Sequence, residues 1–203
     1  IIVNDGTRPT PTAKILKEIY PKIRDRKKTF IIATGCHRVG NLEEYHMIFS
    51  KEIYEEIAAK DELHNHDAKN DPMTYLGASA NGTEMYLNSI VAEAKKVVVI
   101  GSVEPHYFAG YTGGRKAFLP GVAKYETIEQ NHKLALSHKA QALALAGNPV
   151  HEDMIDAMKV LKDIDVFSIQ TVLDSEHGVY FVSCGDLFAS FDQCVEKADE
   201  VFC

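Results

Sequence analysis

The run Lys96-Val97-Val98-Val99-Ile100-Gly101 constrains the fold more than any other stretch of the chain. Consecutive β-branched residues favour an extended backbone and fit a pleated surface. From Val97 to Ile100 the run is apolar and does not alternate, so it reads as a strand buried on both faces, as in a parallel sheet with helices on each side. Ile1-Ile2-Val3 and Thr29-Phe30-Ile31-Ile32-Ala33-Thr34 repeat the pattern. Each of the three runs is followed at once by a polar, glycine-bearing loop. In open α/β sheets ligands sit beyond the carboxyl ends of the strands, so these loops are the place to look for chemistry.

Helical patterns separate the strands. A helix is expected to begin near Thr10 or Thr12, with Pro11 tolerated in its first turn. A second is expected from Asn41 to Ala58, capped by Asn41 with Glu43 and Glu44 near its positive end. The segment from His64 to Pro72 reads as a polar connector. Met73–Ala78 and Thr83–Leu87 read as short strands, and Ile90–Ala94 as a short helix. Later helices are expected near Glu126–Ser137 and Val150–Leu161. Strands are expected at Val166–Val172 and Val179–Val182, and Asp186 opens a last helix. This alternation predicts a layered, Rossmann-like α/β domain with a mostly parallel sheet flanked by helices, as one domain over 1–203.

Composition narrows the classes. With 203 residues and 45% hydrophobic content the chain can build a sizeable core. A formal net charge of −7 with no basic face argues against nucleic-acid binding. No apolar run reaches the roughly 18–20 residues that span a bilayer. The chain opens on a strand without Met and reads as a piece of a longer protein. Cys36, Cys184, Cys194 and Cys203 form no C-x-x-C pair and read as free thiols of a cytoplasmic protein.

The loop after the central strand is the richest in chemistry. From Val103 to Lys116 it carries His106, the aromatics Tyr107, Phe108 and Tyr111, and Gly113-Gly114-Arg115-Lys116. Pro120-Gly121 closes it, and Asn131-His132 lies in the helix beyond. Paired glycines permit positive φ, and successive N–H groups can cradle an anion. Lys116 is either a surface cation or, with a lowered pKa, a nucleophile. Arg115 intervenes and Ala117 follows, so the P-loop pattern is not matched, and no GxGxxG fingerprint exists. Asp5 and Arg8 either cap a turn and pair with each other, or Arg8 grips an anionic substrate while Asp5 orients a neighbour. His37 and His106 are either turn residues or acid/base groups. His132 either faces solvent or takes part in the site. The pair His64/His66 has metal-ligand spacing but reads as solvated.

Together Asp5-Gly6-Thr7-Arg8-Pro9, Ala33-Thr34-Gly35-Cys36-His37-Arg38, the segment Glu104–Lys116, Pro120-Gly121 and Asn131-His132 resemble the nickel-pincer lactate racemase family. The resemblance runs over nearly the whole chain but corresponds to the N-terminal catalytic domain alone. It implies a racemase or epimerase of lactate-like 2-hydroxy acids. It implies a nickel pincer mononucleotide linked covalently through Lys116, with Gly113, Gly114 and Arg115 beside it and His132 as nickel ligand. His37 and His106 become the paired acid/base residues, with hydride moving to and from the cofactor. Arg8 becomes the substrate-carboxylate contact, supported by Asp5. The family's second, C-terminal domain, which completes the pocket, is absent from this chain, so the isolated piece is expected to be inactive. The competing expectation is a module that binds a nucleotide or phosphorylated metabolite without turnover.

Overall fold

The computed structural model describes residues 1–202. In chain order the elements are β1 (Ile2–Asn4), α1 (Thr12–Ile23), β2 (Thr29–Ala33), α2 (Leu42–Phe49), α3 (Lys51–Lys60), β3 (Glu62–Asn65), β4 (Met73–Ala78), β5 (Glu84–Asn88), α4 (Ser89–Ala92), β6 (Lys96–Ser102), β7 (Pro105–His106), β8 (Gly110–Tyr111), α5 (Tyr125–His132), α6 (Pro149–Ala157), β9 (Asp165–Leu173), β10 (Val179–Gly185) and α7 (Leu187–Phe202). Six strands form the main sheet in the order β10-β9-β6-β1-β2-β3. All neighbours pair in parallel except the edge strand β10, which is antiparallel to β9. The mostly parallel α/β sheet expected from the β-branched runs is the one observed.

Both faces of the sheet are covered, as an apolar run without alternation demands. On one face Val3, Phe30, Ile32 and Ile100 pack against Leu16, Tyr20, Phe49 and Ile57 of the first three helices. On the other, Ile2, Ile31, Val97 and Val99 pack beneath Leu87, Phe118, Ile128 and Met154. A third cluster joins Val172 and Val103 to Phe191 and Cys194 of α7. The strand order turns between β1 and β6: the chain builds outward to β2 and β3 in one direction and to β9 and β10 in the other. Loops on either side of that switch diverge and leave a crevice at the carboxyl edge.

Three expectations change. The helix foreseen over 41–58 breaks at Ser50, whose φ is 63°. The Ser50 hydroxyl accepts from the Ile53 N–H at 3.4 Å and so caps α3. Asn41 does cap α2, in a reciprocal box with Glu44. The connector at 64–72 begins as strand β3, and His66 within it is 1% exposed instead of solvated. Its Nε2–H donates to the Ala123 carbonyl at 2.9 Å and its Nδ1 accepts from Asn88 at 3.2 Å. His64 instead donates to Asp71 at 2.6 Å. The helices foreseen near 126–137 and 150–161 both end early in tighter 3-10 turns, at 133–136 and 158–161. Cys36, Cys184 and Cys194 are free thiols, and Cys203 lies outside the described residues.

Candidate active site

A cavity of about 270 Å³ opens at the carboxyl ends of β1, β2 and β6. Asp5 and Arg8 enter it from the loop after β1, Cys36 and His37 from the loop after β2, and His106, Gly113, Gly114 and Lys116 from the segment after β6. His132 reaches it from the end of α5. The structure therefore gathers eight of the nine expected site residues on one cavity.

Asp5 is built as a holder for His37. Its Oδ1 accepts from the Thr7 N–H at 3.1 Å and the Thr7 hydroxyl at 2.6 Å. Its Oδ2 accepts from His37 Nδ1–H at 2.6 Å. That bond fixes the tautomer and leaves Nε2 with a free lone pair. The pairing of Asp5 with Arg8 does not occur; among the described residues Arg8 has no carboxylate partner.

His106 is buried, and its Nδ1 accepts weakly from the N–H groups of Phe108 (3.5 Å) and Ala109 (3.3 Å). A neutral ring accepting at Nδ1 carries its proton on Nε2. Nε2 lies 3.4 Å from Lys116 Nζ. Burial, then the charges of Lys116 and Arg8, pushes His106 down to about 3. Burial, then Arg115 and Arg8, holds the Lys116 ammonium well below its ordinary value. A lysine desolvated beside other cations is a nucleophile in waiting.

His132 stacks edge-on against Phe108, with ring centroids 5.0 Å apart. Its Nε2 is buried and has no hydrogen-bond partner among the described residues. Burial, then Lys116, lowers it to about 4. A buried nitrogen without a partner is costly unless something supplies one. Its neighbour Asn131 anchors the helix by donating to Asp153 (2.8 Å) and to the Val150 carbonyl (3.2 Å).

Arg115 is the exception. It is 1% exposed and turns away from the cavity. Its guanidinium donates to the carbonyls of Ala109 (2.8 Å), Tyr111 (3.1 Å), Thr112 and Gly113 (both 3.4 Å), and stacks 4.5 Å from the Phe191 ring centroid. It folds the loop and does not line the cavity. The glycine pair is likewise set by packing. Gly113 has φ 79°, and a Cβ there would stand 2.6 Å from Val103 Cγ2 and 2.8 Å from Gln170 Oε1. Gln170, 0% exposed, also accepts from the Gly114 N–H at 3.0 Å. Sequence reading passes over Gln170, though an amide inside a buried strand always needs partners.

An open, mostly parallel α/β sheet with a cationic, histidine-lined cavity at its switch point defines the class. Comparison gives the family: residues 1–144 match the lactate racemase N-terminal domain, and the chain belongs to that family. It is 35% identical over 186 residues to a lactate racemase of Thermoanaerobacterium thermosaccharolyticum, covering 88% of this chain and 42% of that protein. It is 34% identical over 197 residues to a lactate racemase of Lactiplantibacillus plantarum, covering 94% and 45%. The lactate racemase apoprotein structure from T. thermosaccharolyticum superposes with a TM-score of 0.88 at 31% identity, over 98% of this chain and 48% of that one. A Thermotoga maritima protein at 19% identity shares the fold, with a TM-score of 0.82. The chain thus spans less than half the length of the curated relatives it matches.

Proposed function

We propose that this chain is the N-terminal, catalytic part of a racemase or epimerase of lactate-like 2-hydroxy acids that uses a nickel pincer mononucleotide. The observation that carries this reading is the convergence of Arg8, His37, His106, Lys116 and His132 on one cavity. The residues fit the cofactor. His132 offers a neutral imidazole with a buried, unpartnered Nε2, the donor a nickel ion takes. Lys116 offers an amine shifted toward its neutral form, which a covalent link requires. When bound, the cofactor supplies a hydride acceptor at the substrate carbon.

The protein's own work is positioning and proton transfer. Arg8 has a guanidinium fork free for a substrate carboxylate. His37, held by Asp5, presents Nε2 to take a hydroxyl proton. His106, kept neutral by burial, presents Nε2–H from a different loop and serves as the acid partner that donates to the substrate oxygen. Racemisation needs an acid/base group for each enantiomer, and two histidines on separate loops meet that need. The second domain of the parent is proposed to close over the cavity, whose rim carries Tyr107, 77% exposed.

The test is nickel content and lactate racemisation by the full-length parent and its Lys116→Ala variant, both made alongside a pincer-synthesis pathway. Loss of both in the variant supports the reading. Retention of both ends it, and tight nucleotide binding without nickel would favour a non-catalytic binding module.

A further inference from the structure

We propose a second reactivity for this cavity: when Lys116 carries no cofactor, it captures 2-oxo acids as a Schiff base. Three features of the geometry point to it. Lys116 Nζ is aimed into the cavity, over the Phe108 ring at 5.5 Å from its centroid. His106 Nε2, the protonated nitrogen of that ring, stands 3.4 Å from Nζ. Arg8 lines the same cavity, and among the described residues no carboxylate engages it. An amine, a proton shuttle and an unpaired carboxylate fork together define a carbonyl compound that also carries a carboxylate. The 2-oxo acids join the two groups directly, at the short reach such a cavity allows.

The setting supplies the required nucleophile. Burial and the neighbouring cations Arg115 and Arg8 disfavour the ammonium form. Amines desolvated next to another cation are the ones that form Schiff bases with carbonyl substrates. The Nζ lone pair attacks the keto carbon, forming the C–N bond and moving the carbonyl π pair onto oxygen. That oxygen takes the proton of His106 Nε2, and Nε2 recovers one from the new ammonium, giving a neutral carbinolamine. A proton taken up from solvent water onto its hydroxyl lets the C–O bond break as the nitrogen lone pair forms C=N. One water leaves, an iminium remains, and nothing is oxidised or reduced.

The capture needs neither nickel nor nucleotide, so it stands apart from the racemase reading. Where both hold, 2-oxo acid and cofactor compete for one amine, and unloaded protein is protected from loading by the keto form of its own substrate class.

Reductive trapping tests this on the full-length protein made in a host without pincer synthesis. The protein is incubated with pyruvate and cyanoborohydride, and the modified lysines are mapped by peptide mass. Lys116 is expected to gain a carboxyethyl group about tenfold faster than the exposed Lys139 and Lys162. Acetone, which lacks the carboxylate, is expected to show no such preference. Arg8→Met is expected to lower pyruvate labelling of Lys116 about tenfold while leaving Lys139 unchanged. Labelling of Lys116 no faster than Lys139 in the unmodified protein overturns the proposal, and this comparison needs no variant to fold. Equal labelling by acetone and pyruvate overturns the assignment to 2-oxo acids.

Discussion

Replacing Arg115 by Met tests the claim that this cation is a strut of the loop and not a cofactor contact. Two of its hydrogen bonds are short, to Ala109 at 2.8 Å and Tyr111 at 3.1 Å; the two at 3.4 Å add little. Bonds from a charged donor contribute about 1.5–3 kcal/mol each, and stacking on Phe191 roughly 0.5–2 kcal/mol. Burying the guanidinium costs several kcal/mol, which offsets part of the gain. Met fills the space but leaves the buried carbonyls without donors. The net loss is expected to be about 2–4 kcal/mol. Urea unfolding of the full-length protein reads it: with a slope of about 2 kcal/mol per molar, the midpoint falls by roughly 1–2 M. Arg115 is also one of the charges that depress Lys116, so the variant's Lys116 should react more slowly with amine reagents near neutral pH. An unchanged midpoint together with unchanged reactivity would refute the strut.

Other outcomes follow from the same geometry. Gly113→Ala places a Cβ 2.6 Å from Val103 Cγ2 at a φ of 79°; a loss of about 2–4 kcal/mol is expected in the same urea assay, and a neutral result would mean the loop is not packed this way. Gln170→Leu strips the Gly114 N–H of its acceptor and should cost about 1–3 kcal/mol, measured by thermal unfolding. His106 and His151 stay neutral in the fold down to about pH 3 and 4, while in the unfolded chain they protonate near 6.5. The unfolded state therefore binds more protons as pH drops below 6.5, and stability should fall by up to about 1.4 kcal/mol per pH unit for each group. Urea midpoints at pH 7 and pH 5 check the sign. Asp5→Asn, which weakens the hold on His37 Nδ1, should lower racemisation by the loaded parent about 10²-fold with its stability little changed.

The parallel sheet was legible because Val97–Ile100 and Phe30–Ile32 are apolar without alternation, a pattern few other folds tolerate. The cavity was legible because three polar loops each follow such a strand. What escaped the sequence depends on partners distant in the chain. The burial of His66 requires Ala123 and Asn88 to meet it, and neither lies near it in sequence. The inward turn of Arg115 is set by carbonyls of its own loop and by Phe191 on α7. Gln170 acquires its role from a glycine 56 positions earlier. Ser50 shows the local counterpart: its hydroxyl caps α3 and splits what reads in sequence as one helix over 41–58.

The most direct test of the central claim is the intact mass of the full-length parent, co-expressed with a pincer-synthesis pathway, beside its Lys116→Ala variant. The predicted result is a mass gain matching a nickel mononucleotide in the parent and none in the variant. A folded parent without the adduct, when a control racemase is loaded in the same host, would contradict the account and return Lys116 to the role of a reversible anion or carbonyl site.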